Sequence, residues 1–195
     1  MLANAPLSPP AVLQAIEQAT QTLQFTMASD PLTGSLLRTL ASTKPASAFL
    51  ELGTGTGMGT AWILDGMDAT SKLITVDTDE RASAVARRHL GHDPRVTFYI
   101  TDGGEFLHKL KAQGARFDFI FADTWPGKFT HLEVALGLLN VGGLYIVDDL
   151  LPQASWPEEH APKVANFIAT LRQRTDLTLT WLNWSTGLLL AAKSG

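Results

Sequence analysis

The 195-residue sequence contains no cysteine, which removes disulfides, thiolate metal centres and a cysteine nucleophile, and which fits a reducing, cytoplasmic setting. Nor is there an excess of basic charge: fifteen Lys and Arg against nineteen Asp and Glu leave a net charge of -4. No general field therefore draws the chain onto nucleic acid or anionic lipid. Apolar runs are short, none approaching the roughly 18 residues that a membrane span requires. The first Lys or Arg is Arg38, so the basic flank of a signal peptide is missing and neither export nor a membrane partner is expected.

What is present suffices for a core. The chain is 45% hydrophobic and 17% charged, and its length suits one domain over 1–195, with leading helices in 1–45 and an α/β core in 46–195. Ser8 with Pro9 and Pro10 marks a helix start, and Val12, Leu13, Ile16, Leu23 and Met27 recur on one helical face. Asp30-Pro31 breaks that pattern, and Leu32, Leu36, Leu37 and Leu40 mark a second helix that ends before Lys44-Pro45. The apolar face of the leading helix can lie on its own sheet or form a homodimer interface.

From Ala48 the pattern changes to short apolar runs at 48–52, 73–76, 96–100, 117–122 and 144–147. Helical segments at 58–66, 79–90, 104–113, 128–139 and 161–174 follow them in turn. Such alternation predicts a mostly parallel sheet covered by helices on both faces. Two further runs, 177–184 and 188–192, flank Ser185-Thr186-Gly187 and predict a closing antiparallel hairpin. The stretch 151–162, rich in Pro and polar residues, reads as a long loop. Arg81, Arg87, Arg88 and His89 fall on a helix as a solvated face, and His92 and His108 read as surface residues.

Glu51-Leu52-Gly53-Thr54-Gly55-Thr56-Gly57-Met58-Gly59 follows the first strand and opens a helix, the place where open α/β sheets bind ligands. Glycine permits tight turns and close ligand approach, and free N–H groups at the helix start attract an anionic group. The spacing is G-x-G-x-G, so the dinucleotide fingerprint G-x-G-x-x-G is missed, and no G-K-[ST] follows. Glu51 would also repel a pyrophosphate. Asp77 ends the second strand, where an acid can accept hydrogen bonds from ribose hydroxyls. Alternatively, Asp77 and Asp79 cap the next helix.

These residues resemble the class I methyltransferases, a Rossmann-like, seven-stranded family that uses S-adenosylmethionine. The resemblance implies that the loop holds the methionine part through Glu51, Gly53, Thr54, Gly55, Gly57, Gly59 and Thr60. It also implies that Asp77 and Thr78 hold the ribose, and that Asp102-Gly103 lies beside adenine. A closer likeness is to the small O-methyltransferases of the catechol and caffeoyl-CoA type. Leu32-Thr33-Gly34-Ser35-Leu36-Leu37 is similar to their segment before the sheet, which brings Thr33 to the cofactor. The runs 117–123 and 142–149 resemble the two segments that supply their metal-binding acids, here Asp123, Asp148 and Asp149. Asp123 would also face the cofactor, and Lys128 stands for their catalytic Lys. Two departures are evident: Asp148-Asp149 replaces Asp-Asn, and Pro126-Gly127 is inserted before Lys128.

The chemistry of the acids stands beside that likeness. Acids ending strands four and five converge on one rim, and an all-oxygen set suits Mg²⁺ or Ca²⁺ better than zinc. A cation there can lower the pKa of an acceptor hydroxyl and orient it. Without one, the acids raise each other's pKa and one can act as base. Each Asp can equally be a turn former, and Lys128 a solvated residue at a helix start. Trp125, Trp156 and His160 can wall a pocket for a flat acceptor or simply pack their loop.

The expected activity is methylation of a small hydroxyl compound, aromatic and catechol-like, assisted by a divalent cation. The competing readings are a metal-independent N- or C-methyltransferase, a binding protein without catalysis and, more remotely, an NAD-linked oxidoreductase.

Overall fold

A computed structural model of the protein describes residues 7–153 and 156–195; residues 1–6 and two residues of the expected loop 151–162 lie outside that description. Five strands run parallel: β1 Ala48–Leu52, β2 Lys72–Asp77, β3 Val96–Ile100, β4 Phe117–Ala122 and β5 Leu139–Val147. The expected hairpin follows as β6 Leu177–Leu182 and β7 Leu188–Lys193. The sheet order is β3-β2-β1-β4-β5-β7-β6, with β7 antiparallel to both β5 and β6. The helices are α1 Leu13–Leu23, α2 Pro31–Ser42, α3 Met58–Gly66, α4 Glu80–Leu90, α5 Gly103–Ala112, α6 Leu132–Leu138 and α7 His160–Arg172.

Successive strand residues face opposite sides, so the central strands are apolar on both. Leu50, Leu52, Ile120 and Ala122 pack with Phe106, Leu107 and Leu136 on the side that includes Phe167 and Leu171 of α7. Phe49, Phe119, Phe121 and Ile146 pack with Leu13, Ile16, Leu37 and Trp62 on the other. The α1 face is thus used within the fold through Leu13 and Ile16, while Val12 and Leu23 on the same face are only half-buried. Among the described residues no helix is long and apolar enough to cross a membrane.

Three expectations about elements need correction. The leading helix ends at Leu23, because Gln24 takes a left-handed φ of 57°; Met27 therefore leaves the packed face and is 76% exposed. The helix expected over 128–139 begins only at Leu132, since 125–130 forms a turn in which Lys128, Phe129 and Thr130 all donate to the Trp125 carbonyl. β6 stops at Leu182, and Trp184 joins the hairpin turn, where Ser185 and Gly187 have φ of 54° and 89°.

The chain leaves β1 towards β2 on one side, while β4 lies on the other. This is the topological switch point, where the carboxyl ends of the strands leave a crevice. Gly53 N–H donates to Val76 and Asp123 N–H to Leu52 at 2.9 Å each, which brings three strand ends to one edge.

Candidate active site

The loop after β1 owes its shape to backbone conformations that only glycine takes easily. Gly53 has a φ of 102°, and a Cβ there would lie 2.8 Å from the Asp123 carbonyl oxygen. At Gly57, with a φ of 92°, it would lie 2.8 Å from the Ala86 Cβ on α4. Larger residues are thus excluded by strain and by lack of space. Asp77 fixes the loop from below: its carboxylate accepts from Gly55 N–H at 2.7 Å and Asp79 N–H at 2.9 Å. The cap of α4 is Asp79, which accepts from Arg81 and Ala82 N–H. Asp77 is thereby left to the loop and the cavity, with unused lone pairs on both oxygens.

Two adjoining cavities run along this edge. One, of about 220 Å³, lies between Gly53–Thr56, Asp77 and Asp123 on one side and Phe25, Met27 and Ser29 on the other. The second, of about 120 Å³, is bounded by Gly53, Asp77, Thr78, Asp102, Gly103, Thr124 and Pro126. Shared walls at Gly53, Asp77, Thr78 and Thr124 join them into one trough. No Lys or Arg is among its lining residues. The trough is therefore suited to a neutral or cationic ligand rich in hydroxyls and not to a pyrophosphate.

Several of the expected cofactor residues sit behind this wall. Glu51 is fully buried; its Oε2 accepts from the hydroxyls of Thr60 and Thr75, and its Oε1 has no partner among the described residues. Burial pushes its pKa up to about 7. Gly57, Gly59 and Thr60 are buried with it, so these four shape the loop and do not line the trough. Asp102 caps α5 by accepting from Glu105 N–H while bordering the second cavity. Thr33 is buried near Asp148, and its hydroxyl has no partner that meets hydrogen-bond geometry.

Beyond the trough the acids of β4 and β5 converge. Asp123 accepts from the Ser29 hydroxyl at 2.8 Å. Burial, then the charges of Asp148 and Asp149, hold its pKa well above the usual carboxylate range. Asp148 accepts from its neighbour's N–H at 2.7 Å and from the Thr186 hydroxyl, and burial pushes it up to about 6. Asp149, at a φ of 60°, accepts from Gln153 Nε2 at 2.7 Å. Lys128 is only 3% exposed, which overturns its reading as a surface residue. Its Nζ donates to the Asp148 carbonyl at 2.6 Å, and burial lowers its pKa while the surrounding acids oppose that.

These acids share a rim without forming a ligand set. Among the described residues no three His, Cys, Asp or Glu side chains are grouped so as to hold a metal ion. Each carboxylate instead bonds to a different side-chain donor, Asp123 to Ser29, Asp148 to Thr186 and Asp149 to Gln153 in the following loop. The expected metal roles of Asp123, Asp148 and Asp149 do not fit this arrangement.

The aromatic residues divide. Trp156 lies 4.3 Å from the His160 ring, with Phe129 edge-on to His160 at 5.0 Å. His160 is buried, and burial lowers its pKa; this group packs the start of α7. Trp125 is 41% exposed, with Lys163 over its ring at 4.4 Å. Both line a groove of about 500 Å³ along α7. Reading the sequence missed Phe25, Ser29, Thr186 and Tyr145. Only Ser29, just before the Asp30-Pro31 break, carried a hint, and nothing in its spacing tied it to Asp123.

Residues 6–191 match a family described as O-methyltransferase. A catechol O-methyltransferase from Niastella koreensis is 29% identical over 140 residues, covering 69% of this chain and 63% of that one, so the match spans less than two thirds of that relative. The solved O-methyltransferase of Bacillus cereus in complex with SAH matches with a TM-score of 0.86 at 18% identity, over 99% of this chain and 95% of that one. TomG of Streptomyces achromogenes, in complex with SAM, matches at 0.83 and 23% identity, over 99% and 93%. At these identities the structural likeness carries the fold.

Proposed function

The chain belongs to the O-methyltransferase family, and from that premise we propose that it transfers a methyl group from S-adenosylmethionine to a hydroxyl oxygen of a small, flat acceptor. The carrying observation is the trough itself: Asp77 stands at the β2 end, Asp123 at the β4 end, and no basic side chain lines the space between. That charge pattern suits a ligand with ribose hydroxyls and cationic ammonium and sulfonium groups. Bound S-adenosylmethionine would supply an electrophilic methyl carbon on positively charged sulfur.

In this reading Asp77 accepts hydrogen bonds from the ribose, and Asp102 and Gly103 flank the adenine. Free N–H groups of the loop and the side chains of Ser29 and Asp123 bind the methionine end. The acceptor enters over the β4–β5 rim, beside Trp125, as an aromatic or catechol-like ring. Its hydroxyl proton passes to the acid cluster, in which Asp148, at about 6, is matched to proton transfer near neutral pH. Lys128, already donating to a carbonyl, offers positive charge to the developing oxyanion and is not the base. No step is routed through a divalent cation, because the acids do not form a ligand set. The cytoplasmic location rests on the cysteine-free composition; a homodimer would draw on Leu23 and Met27, which the packing of α1 leaves half-buried and exposed.

Calorimetry with S-adenosylhomocysteine and with NADH tests the cofactor, and labelled S-adenosylmethionine with a panel of phenols and catechols tests the transfer. Binding of NADH in preference to S-adenosylhomocysteine sinks the proposal.

A further inference from the structure

Gathering Asp123, Asp148 and Asp149 at one rim requires something to offset their charge. Lys128 stands among them: the three acids favour its charged form against the larger effect of burial, and its charge in turn lowers the pKa of Asp123. Its ammonium lies within the protein, 2.6 Å from the Asp148 carbonyl oxygen and 4.9 Å from the centre of the Phe129 ring. A buried ammonium is retained only where such partners and neighbouring charges repay its lost hydration.

The turn that carries it is built for this placement. Gly127 has a φ of 87°, and a Cβ there would come 2.5 Å from Leu52 Cδ1 and 3.0 Å from the Tyr145 hydroxyl. The Tyr145 hydroxyl, buried in the sheet, donates to the Gly127 carbonyl. Gly127 N–H donates to Thr130 at 2.7 Å and Lys128 N–H to Trp125 at 3.0 Å. Pro126-Gly127 thus closes a tight turn anchored to β5, and the next side chain is directed inward to the end of that strand. The carboxylates, for their part, bond to Ser29, Thr186 and Gln153.

We infer that Lys128 is the resident cation of this site, occupying the electrostatic place of a divalent ion, so that the acceptor hydroxyl is activated without bound metal. The inference rests on the proposed methyl transfer for its catalytic meaning, but its charge claim is tested separately. Full-length protein, with and without S-adenosylhomocysteine, is titrated with Mn²⁺ and followed by the free-ion electron paramagnetic resonance signal. The expected result is no uptake by the wild type, uptake by Lys128→Met, in which the acids lose their internal cation, and none by Lys128→Arg.

Turnover is expected to stay within about twofold when EDTA replaces Mg²⁺ in the assay. Uptake by the wild type that Asp148→Asn removes overturns the inference. So does a folded Lys128→Met protein that takes up no more Mn²⁺ than the wild type. Should Lys128→Met not fold, the wild-type titration decides alone. Failure of S-adenosylhomocysteine to bind strikes the proposed function and leaves the Mn²⁺ result readable.

Discussion

At the β1–β2 end of the trough one exposed-edge carboxylate, Asp77, meets backbone N–H groups of a glycine loop. At the β4–β5 end several carboxylates meet side-chain donors and a buried ammonium. The first end presents backbone N–H groups and one carboxylate held in place by turns, a surface suited to binding. The second is a set of mutually perturbed ionisable groups, so it can exchange protons. Binding and chemistry are thus divided between two ends of one sheet edge, and substitutions should separate them.

The largest effect is expected at the loop. Gly57→Val meets both an unfavourable φ and the Ala86 Cβ, and should destabilise the protein by about 3 kcal/mol. It should also abolish binding of S-adenosylhomocysteine; urea unfolding and calorimetry check the two, and normal binding would mean that the loop does not form the site.

The next concerns pH. Glu51 has a folded pKa of about 7 against an ordinary 4.5. Between those values the native state holds a proton that the unfolded state has lost. Stability from this group is therefore full in acid and is lost as pH rises from about 4.5 to about 7, by up to about 3 kcal/mol. Comparing unfolding of wild type and Glu51→Gln across this window should show the variant lacking that slope; parallel curves would exclude a buried, protonated Glu51.

Asp77→Ala should weaken S-adenosylhomocysteine binding by about 1.5 to 3 kcal/mol, the scale of hydrogen bonds to a charged group. Turnover at saturating cofactor should change less, and an unchanged calorimetric Kd would confine Asp77 to holding Gly55. The smallest effect sharpens the other end. Tyr145→Phe removes the bond to Gly127 and should cost about 1 kcal/mol of stability. It should lower kcat while leaving S-adenosylhomocysteine affinity intact, because the turn carrying Lys128 loosens. Loss of affinity with unchanged kcat would reverse the division drawn between the two ends.

The same division explains what could be read beforehand. The loop at 51–59 is contiguous, and its glycine spacing and position after an apolar run are local signals. Asp77 was legible because it ends a strand, though its freedom from capping appeared only once Asp79 was seen on the helix N–H groups. The acids at 123, 148 and 149 were legible as strand ends, but their hydrogen-bond partners were not. Ser29 lies 94 residues from Asp123, and Thr186 lies 38 from Asp148.

The sequence alone determined the alternation of strands and helices, the closing hairpin and the loop chemistry, because periodicity, glycine and proline act within a few residues. Tertiary structure decided that Lys128 is buried, that Glu51 stands behind the loop, and that three neighbouring carboxylates do not make a ligand set. Those outcomes depend on which distant donor reaches each carboxylate first and on how much water the packed sheet excludes. Neither quantity exists until the strands are side by side.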